Sequence, residues 1–97
     1  MKLSTYNTLL EHLEQAASEN GIQLDLRSSS VNDDTVVLNM SITKHATWAN
    51  TLYLDESKFI KVFKYYGYDI VINQISPDDI EVIISTEVRH GIQQNVH

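Results

Sequence analysis

Apolar residues recur every three or four positions in two stretches of the chain, a spacing typical of a helix with one buried face. In the first stretch, Ser4–Glu19, these positions are Tyr6, Leu9, Leu10, Leu13, Ala16 and Ala17. In the second, Glu56–Tyr66, they are Phe59, Val62, Phe63 and Tyr66. A glycine follows each stretch, and glycine commonly ends helices. The pattern therefore predicts two amphipathic helices, with Asp55 as the N-cap of the second.

Alternating apolar and polar residues predict strands in four other stretches. These are Ile22–Arg27, Thr35–Thr43, Tyr68–Ile75 and Ile80–Val88. Polar, turn-forming residues join them in pairs, at 28–34 and at 76–79, so we expect two hairpins. A fifth strand is predicted at Thr47–Leu54, which is rich in Thr, Trp and Tyr. In that strand Trp48 would face the core.

The order of these elements, α-β-β-(β)-α-β-β, predicts an α+β fold. Two helices would pack on one face of a mainly antiparallel sheet of four or five strands. We expect one domain at 1–88 and a flexible C-terminal tail at 89–97.

The face of the sheet away from the helices is not fully polar. Several apolar residues fall there by their phase in the strands: Val37, Tyr53, Val71, Ile75 and Ile83. One interpretation is that a partner or a second copy of the chain packs on this open face. The other is that scattered apolar residues are normal on a protein surface.

The chain has 97 residues, with 13 acidic and 7 basic side chains and a formal net charge of -6. Proteins that bind nucleic acids directly need clustered Lys and Arg, so this composition argues against such binding. Acidity favours a basic protein partner, because opposite charges accelerate association. It also simply maintains solubility, which is the alternative explanation.

Acidic residues are paired at the two predicted hairpin turns, Asp33-Asp34 and Asp78-Asp79. If both hairpins point the same way, these four carboxylates lie at one end of the sheet. An ordered acidic surface of this kind can imitate DNA phosphates or meet the basic groove of a nuclease. The alternative is that aspartate serves turn geometry at these positions.

No pattern in the sequence indicates catalysis or a bound cofactor. Cysteine is absent, and the four histidines, His12, His45, His90 and His97, show no metal-ligand spacing. No serine lies in a G-x-S-x-G motif, and three isolated glycines do not form a phosphate loop. We therefore expect a protein that is not an enzyme and that binds neither a metal nor a cofactor.

The first residues lack the apolar run of a secretory signal, and no segment has the length of a membrane span. The expected location is the cytoplasm, without membrane association.

In size, acidity and arrangement of elements, the chain is similar to some phage-encoded anti-CRISPR or anti-restriction inhibitors and to nuclease immunity proteins. No motif carries this likeness, so it assigns no residue a role. Together, these features predict a small non-enzymatic protein-binding module. It would inhibit or regulate a basic partner, for example one that handles nucleic acids. The alternative is a homo-oligomeric structural or accessory protein, for example a homodimer, that pairs through the open sheet face.

Overall fold

The structure, a computed structural model, describes residues 3–49 and 54–86. Two helices and four strands alternate in the order α-β-β-α-β-β. They are α1 Leu3–Glu19, β1 Ile22–Val31, β2 Thr35–His45, α2 Glu56–Tyr65, β3 Tyr68–Ser76 and β4 Asp79–Thr86. The predicted α+β class is confirmed.

The four strands form one antiparallel sheet in the order β1-β2-β4-β3. Each helix is followed by its own hairpin, and the second strands of the two hairpins pair in the middle. There Val36 lies opposite Ile84 and Met40 lies opposite Ile80. The sheet therefore joins two helix–hairpin units through an antiparallel contact between β2 and β4, with β1 and β3 at its edges.

The hydrophobic core lies between the helices and one face of this sheet. Its largest fully buried side chains come from the two helices and the two central strands: Phe59, Phe63, Leu9, Leu13, Leu38, Ile80, Ile84, Val36 and Val82. Burying a large apolar side chain contributes about 1.5–3 kcal/mol relative to leaving it exposed. The apolar stripes of both predicted helices are thus the parts that hold them to the sheet.

The start of α2 and the end of α1 are tied together by polar contacts. Asp55 is the N-cap of α2, as predicted, and its carboxylate accepts a hydrogen bond of 3.1 Å from the Ser57 amide. The backbone N–H of Asp55 donates to Asn20 Oδ1 at 3.1 Å. Asn20, which is buried, also donates from Nδ2 to the carbonyl of Ala16 at 3.2 Å. The Asn20 side chain therefore links the end of α1 to the start of α2 by hydrogen bonds.

The prediction that Trp48 faces the core in a strand is wrong. Residues 46–49 form a turn closed by a 3.0 Å hydrogen bond from the Ala49 amide to the Ala46 carbonyl. Trp48 is 66% exposed, and its ring lies against Gly21 at the end of α1. Neither 47–49 nor Leu54 belongs to a strand, and the remainder of the predicted strand, at 50–53, lies outside the described residues.

The first hairpin is longer than predicted, because Ser28–Val31 continue β1 instead of forming a turn. A register shift after Leu26 makes Arg27 an extra residue, and pairing resumes with Ser28 opposite Asn39. The shift reverses the phase of the alternation, and serines occupy both faces beyond it. The part of β1 beyond Arg27 therefore has no hydrophobic period from which its sequence could predict a strand. The predicted tail at 89–97 lies outside the described residues.

Candidate protein-binding face

The two acidic turns do not meet, contrary to the shared end expected for hairpins of one orientation. Because β2 and β4 are antiparallel, the hairpins point in opposite directions. The Asp34 carbonyl accepts a hydrogen bond from Thr86, at one end of the sheet, and the Asp78 carbonyl accepts one from Ile42, at the other. The β2–β4 pairing from Thr35 to Ser41 separates them by about 20 Å at ~3.4 Å per residue. Asp33, Asp34, Asp78 and Asp79 are therefore not one surface.

Asp79 is moreover engaged in contacts within the fold. Arg27 Nη1 donates to its Oδ1 at 2.8 Å, across the intervening strand β2. The Ser76 hydroxyl donates to its Oδ2 at 3.1 Å. Both members of the ion pair are partly exposed, so the pair stabilises the fold by at most about 1 kcal/mol. We interpret Asp79 as a residue that fixes the β1 bulge and the β3–β4 turn.

The open face of the sheet carries a different arrangement. The register places Val37 opposite Ile83, and Ile83 opposite Val71 on its other side. These three residues form a line across strands β2, β4 and β3, which we name the apolar row. Val71 is 51% exposed, and the other two are partly buried by their neighbours. Three of the five predicted open-face residues are thus brought together.

Polar residues border the apolar row on both sides. On one side, Ser28, Asn39, Glu81 and Asn73 are paired across the four strands. Asn39 Nδ2 donates to Ser28 Oγ at 3.1 Å, and Asn73 Nδ2 donates to Glu81 Oε1 at 3.0 Å. On the other side lie Thr35, Ser85 and Asp69. The hydrogen bonds fix the orientation of both amides and of the Glu81 carboxylate.

The charge around the apolar row is negative. Glu81 and Asp69 are each two residues from a member of the row on the same strand face, and Asp25 lies further along the face, opposite Ser41. Arg27 precedes Ser28 at the β1 register shift, and its guanidinium forms an ion pair with Asp79. Lys44 pairs with Gln23 at the far end of β1 and β2. Within residues 3–49 and 54–86, no ion pair joins a lysine or arginine to Glu81, Asp69 or Asp25, so the centre of the open face combines exposed apolar groups with unpaired carboxylates.

Ile75 lies at a register shift between β3 and β4 and is 68% exposed. It lines a shallow groove of about 340 Å³ together with Arg27, Ser28, Asn39 and Asp79. This groove extends the face towards the β3–β4 turn. Tyr53, the remaining predicted member, lies outside the described residues.

The sequence did not point to the Asn39, Glu81 and Asn73 row, because it exists only through the pairing of β2 with β4. The alternation of polar residues within each strand is visible in the sequence, but the sequence does not show which strands are neighbours.

The two tyrosines at the end of α2 are a second feature of the surface. Tyr66 stacks on the buried His12 ring at 3.8 Å, and Tyr65 packs edge-on against Tyr66. His12 is therefore a packing residue between the helices.

The part of the chain that the structure describes contains no group of three or more histidine, aspartate or glutamate residues placed to hold a metal ion. Among the same residues, no helix is both long enough and apolar enough to cross a membrane. Comparison with known proteins finds no matching protein family, no matching curated protein and no matching solved structure.

Proposed function

We propose that this protein is a small non-enzymatic binding module that recognises a basic protein surface through the open face of its sheet. The observation that carries the proposal is the apolar row of Val37, Ile83 and Val71, bordered by Glu81 and Asp69. A partner that handles nucleic acids would present a suitable basic surface. By covering that surface, the module would inhibit or regulate the partner.

The chemistry of the face suits arginine and lysine side chains. Their aliphatic stems can lie along the valine and isoleucine side chains while their charged ends reach the carboxylates on either side. A desolvated apolar centre with a polar border is also the usual plan of an energetically important interface patch. The groups stand on paired strands, so little conformational freedom is lost on binding.

A second copy of the chain fits this face less well. Two identical open faces would bring Glu81, Asp69 and Asp25 of one copy towards the carboxylates of the other. Like charges that meet across an interface cost affinity, whereas a basic surface gains from the same groups. Charge complementarity therefore favours a basic partner over homo-oligomerisation through this face.

The site can be tested by methyl NMR with a soluble cationic peptide of arginine and valine as the probe. We expect the methyl signals of Val37, Val71 and Ile83 to shift on titration. Ile60 is the matched control, because it is 46% exposed but lies on α2, next to Lys61 and one helical turn before Lys64. Its signal should not move.

The same titration distinguishes charge recognition from nonspecific apolar contact. The shifts should weaken steeply as salt rises, because exposed charges are screened over about 10 Å at 0.1 M salt. A peptide with glutamine in place of arginine should bind much more weakly. Equal shifts at Ile60, or binding that does not change with salt, would remove the support for the proposal.

A further inference from the structure

The outer edge of β3 is a second surface with a distinct chemistry. In the described part of the chain, β3 pairs on one side only, with β4. It runs from Tyr68 to Gln74 without a register shift. An edge strand offers a row of backbone donors and acceptors to any other strand that can align with it.

The other edge strand, β1, pairs irregularly with its neighbour, whereas β3 pairs regularly from Tyr68 to Gln74. Its pairing with β2 contains two register shifts, one after Gln23 and one at Arg27. Bulges and charged residues are devices that prevent edge-to-edge pairing. The contrast indicates that β1 is protected and that β3 is available for pairing.

The sequence of the β3 edge is nearly palindromic, reading Asp69-Ile70-Val71-Ile72-Asn73. In an antiparallel pair of identical strands centred on Val71, Val71 would oppose its own copy and Ile70 would oppose Ile72. Asp69 would oppose Asn73, whose amide carries two N–H donors, one of them already given to Glu81. Every pair in this register is apolar with apolar or carboxylate with amide, so no like charges meet.

From this self-complementarity we propose that the chain forms a two-fold dimer by antiparallel pairing of β3 with β3 of a second copy. A two-fold interface requires the same patch on both copies to match itself, and the Asp69–Asn73 segment does so. The pairing makes one sheet of eight strands. It also joins the two apolar rows end to end, through Val71 of each copy, into a single line of six residues.

The first test is solution mass measured by sedimentation over a wide range of protein concentration. We expect a dimer of twice 11.1 kDa that dissociates on dilution. Val71→Lys and Val71→Glu should each be monomers, because like charges would meet at the two-fold axis. An equal mixture of the two variants should recover the dimer mass. Ser30→Lys is the matched control, since Ser30 lies in the same cross-strand row at the β1 edge, and it should remain a dimer.

Two further measurements do not depend on how these variants fold. The protein has no cysteine, so Val71→Cys should form a disulfide-linked dimer on mild oxidation, and Ser30→Cys should not. In the wild-type protein, amide hydrogen exchange within Asp69–Asn73 should slow as concentration rises, while exchange within Ser28–Val31 should not.

A wild-type monomer at all concentrations would overturn the proposal. So would a dimer that persists in Val71→Lys, or preferential cross-linking at Ser30. The proposed basic-partner function fails separately, because the cationic peptide is tested on the methyl groups of Val37 and Ile83, which lie away from the β3 edge.

Discussion

The contact between Gly21 and Trp48 allows a quantitative test of how the end of α1 is built. Gly21 has φ +73°, a backbone conformation that costs an L-residue about 1–2 kcal/mol. A Cβ built at this position would lie 2.6 Å from the Trp48 ring, closer than atoms can approach. Gly21→Ala therefore introduces two separate penalties, backbone strain and displacement of the indole.

The size of the second penalty follows from the burial of Trp48. The side chain is 66% exposed, so about a third of a surface of roughly 250 Å² is covered. At ~25 cal/mol per Å², losing that burial costs about 2 kcal/mol. Gly21→Ala should then destabilise the protein by about 3–4 kcal/mol in total. In a Trp48→Ala background the same change should cost only the strain, about 1–2 kcal/mol.

Urea unfolding followed by circular dichroism measures all four members of this double-mutant cycle, including those without the tryptophan. The coupling free energy should be about 2 kcal/mol. Trp48 is the only tryptophan, so a red shift of fluorescence in Gly21→Ala would report the displaced ring directly. If Gly21→Ala costs the same with and without Trp48, the ring does not pack on Gly21 and the reasoning is refuted.

Three further predictions concern the helices. Asn20→Ala should lower the free energy of unfolding by about 1–3 kcal/mol in urea titrations, because the Asp55 amide loses its acceptor; Asn20→Asp, which keeps an acceptor, should cost less. Phe63→Ala should cost about 3–5 kcal/mol by the same assay, and an effect below 1 kcal/mol would contradict its place in the core. Hydrogen bonds from Ser57 hold the pKa of Asp55 below its ordinary value of 3.8. The ionised Asp55 therefore contributes its full stabilisation of the fold above that pH, and this contribution is lost as the pH falls through the lowered pKa. Unfolding midpoints of wild type and Asp55→Asn should therefore converge in acid, and a pH-independent difference would exclude this effect.

Much of the fold was predictable because local patterns agreed with it. The apolar stripes of both helices, the N-cap at Asp55 and the strand starts at Ile22, Thr35 and Tyr68 all follow from periodicity and capping chemistry. Two features of the fold did not follow from these local patterns. Ser28–Val31 continue a strand whose alternation is lost at the bulge, and Trp48 covers a glycine outside any strand.

The candidate site was predictable only in part, for a topological reason. The phase of each strand placed Val37, Val71 and Ile83 on the open face, and the register brings them side by side. Which hairpin edges meet, and in which direction, depends on contacts between residues 38 to 50 positions apart. For that reason the sequence alone does not show that the acidic turns lie at opposite ends of the sheet, and it does not reveal the polar row containing Glu81.

The proposed function requires that carboxylates on the open sheet face recognise a basic surface. Its most direct test compares two double variants with equal loss of charge, Glu81→Gln/Asp69→Asn on the open face and Glu11→Gln/Glu14→Gln on the exposed side of α1. Their affinity for the arginine–valine peptide would be measured by calorimetry at low salt. Exposed ion pairs contribute about 0.2–1 kcal/mol each, so the open-face variant should bind about 2- to 30-fold more weakly, and the α1 variant should match wild type. Equal weakening by both variants would mean that only net charge attracts the peptide, and would contradict recognition by this face.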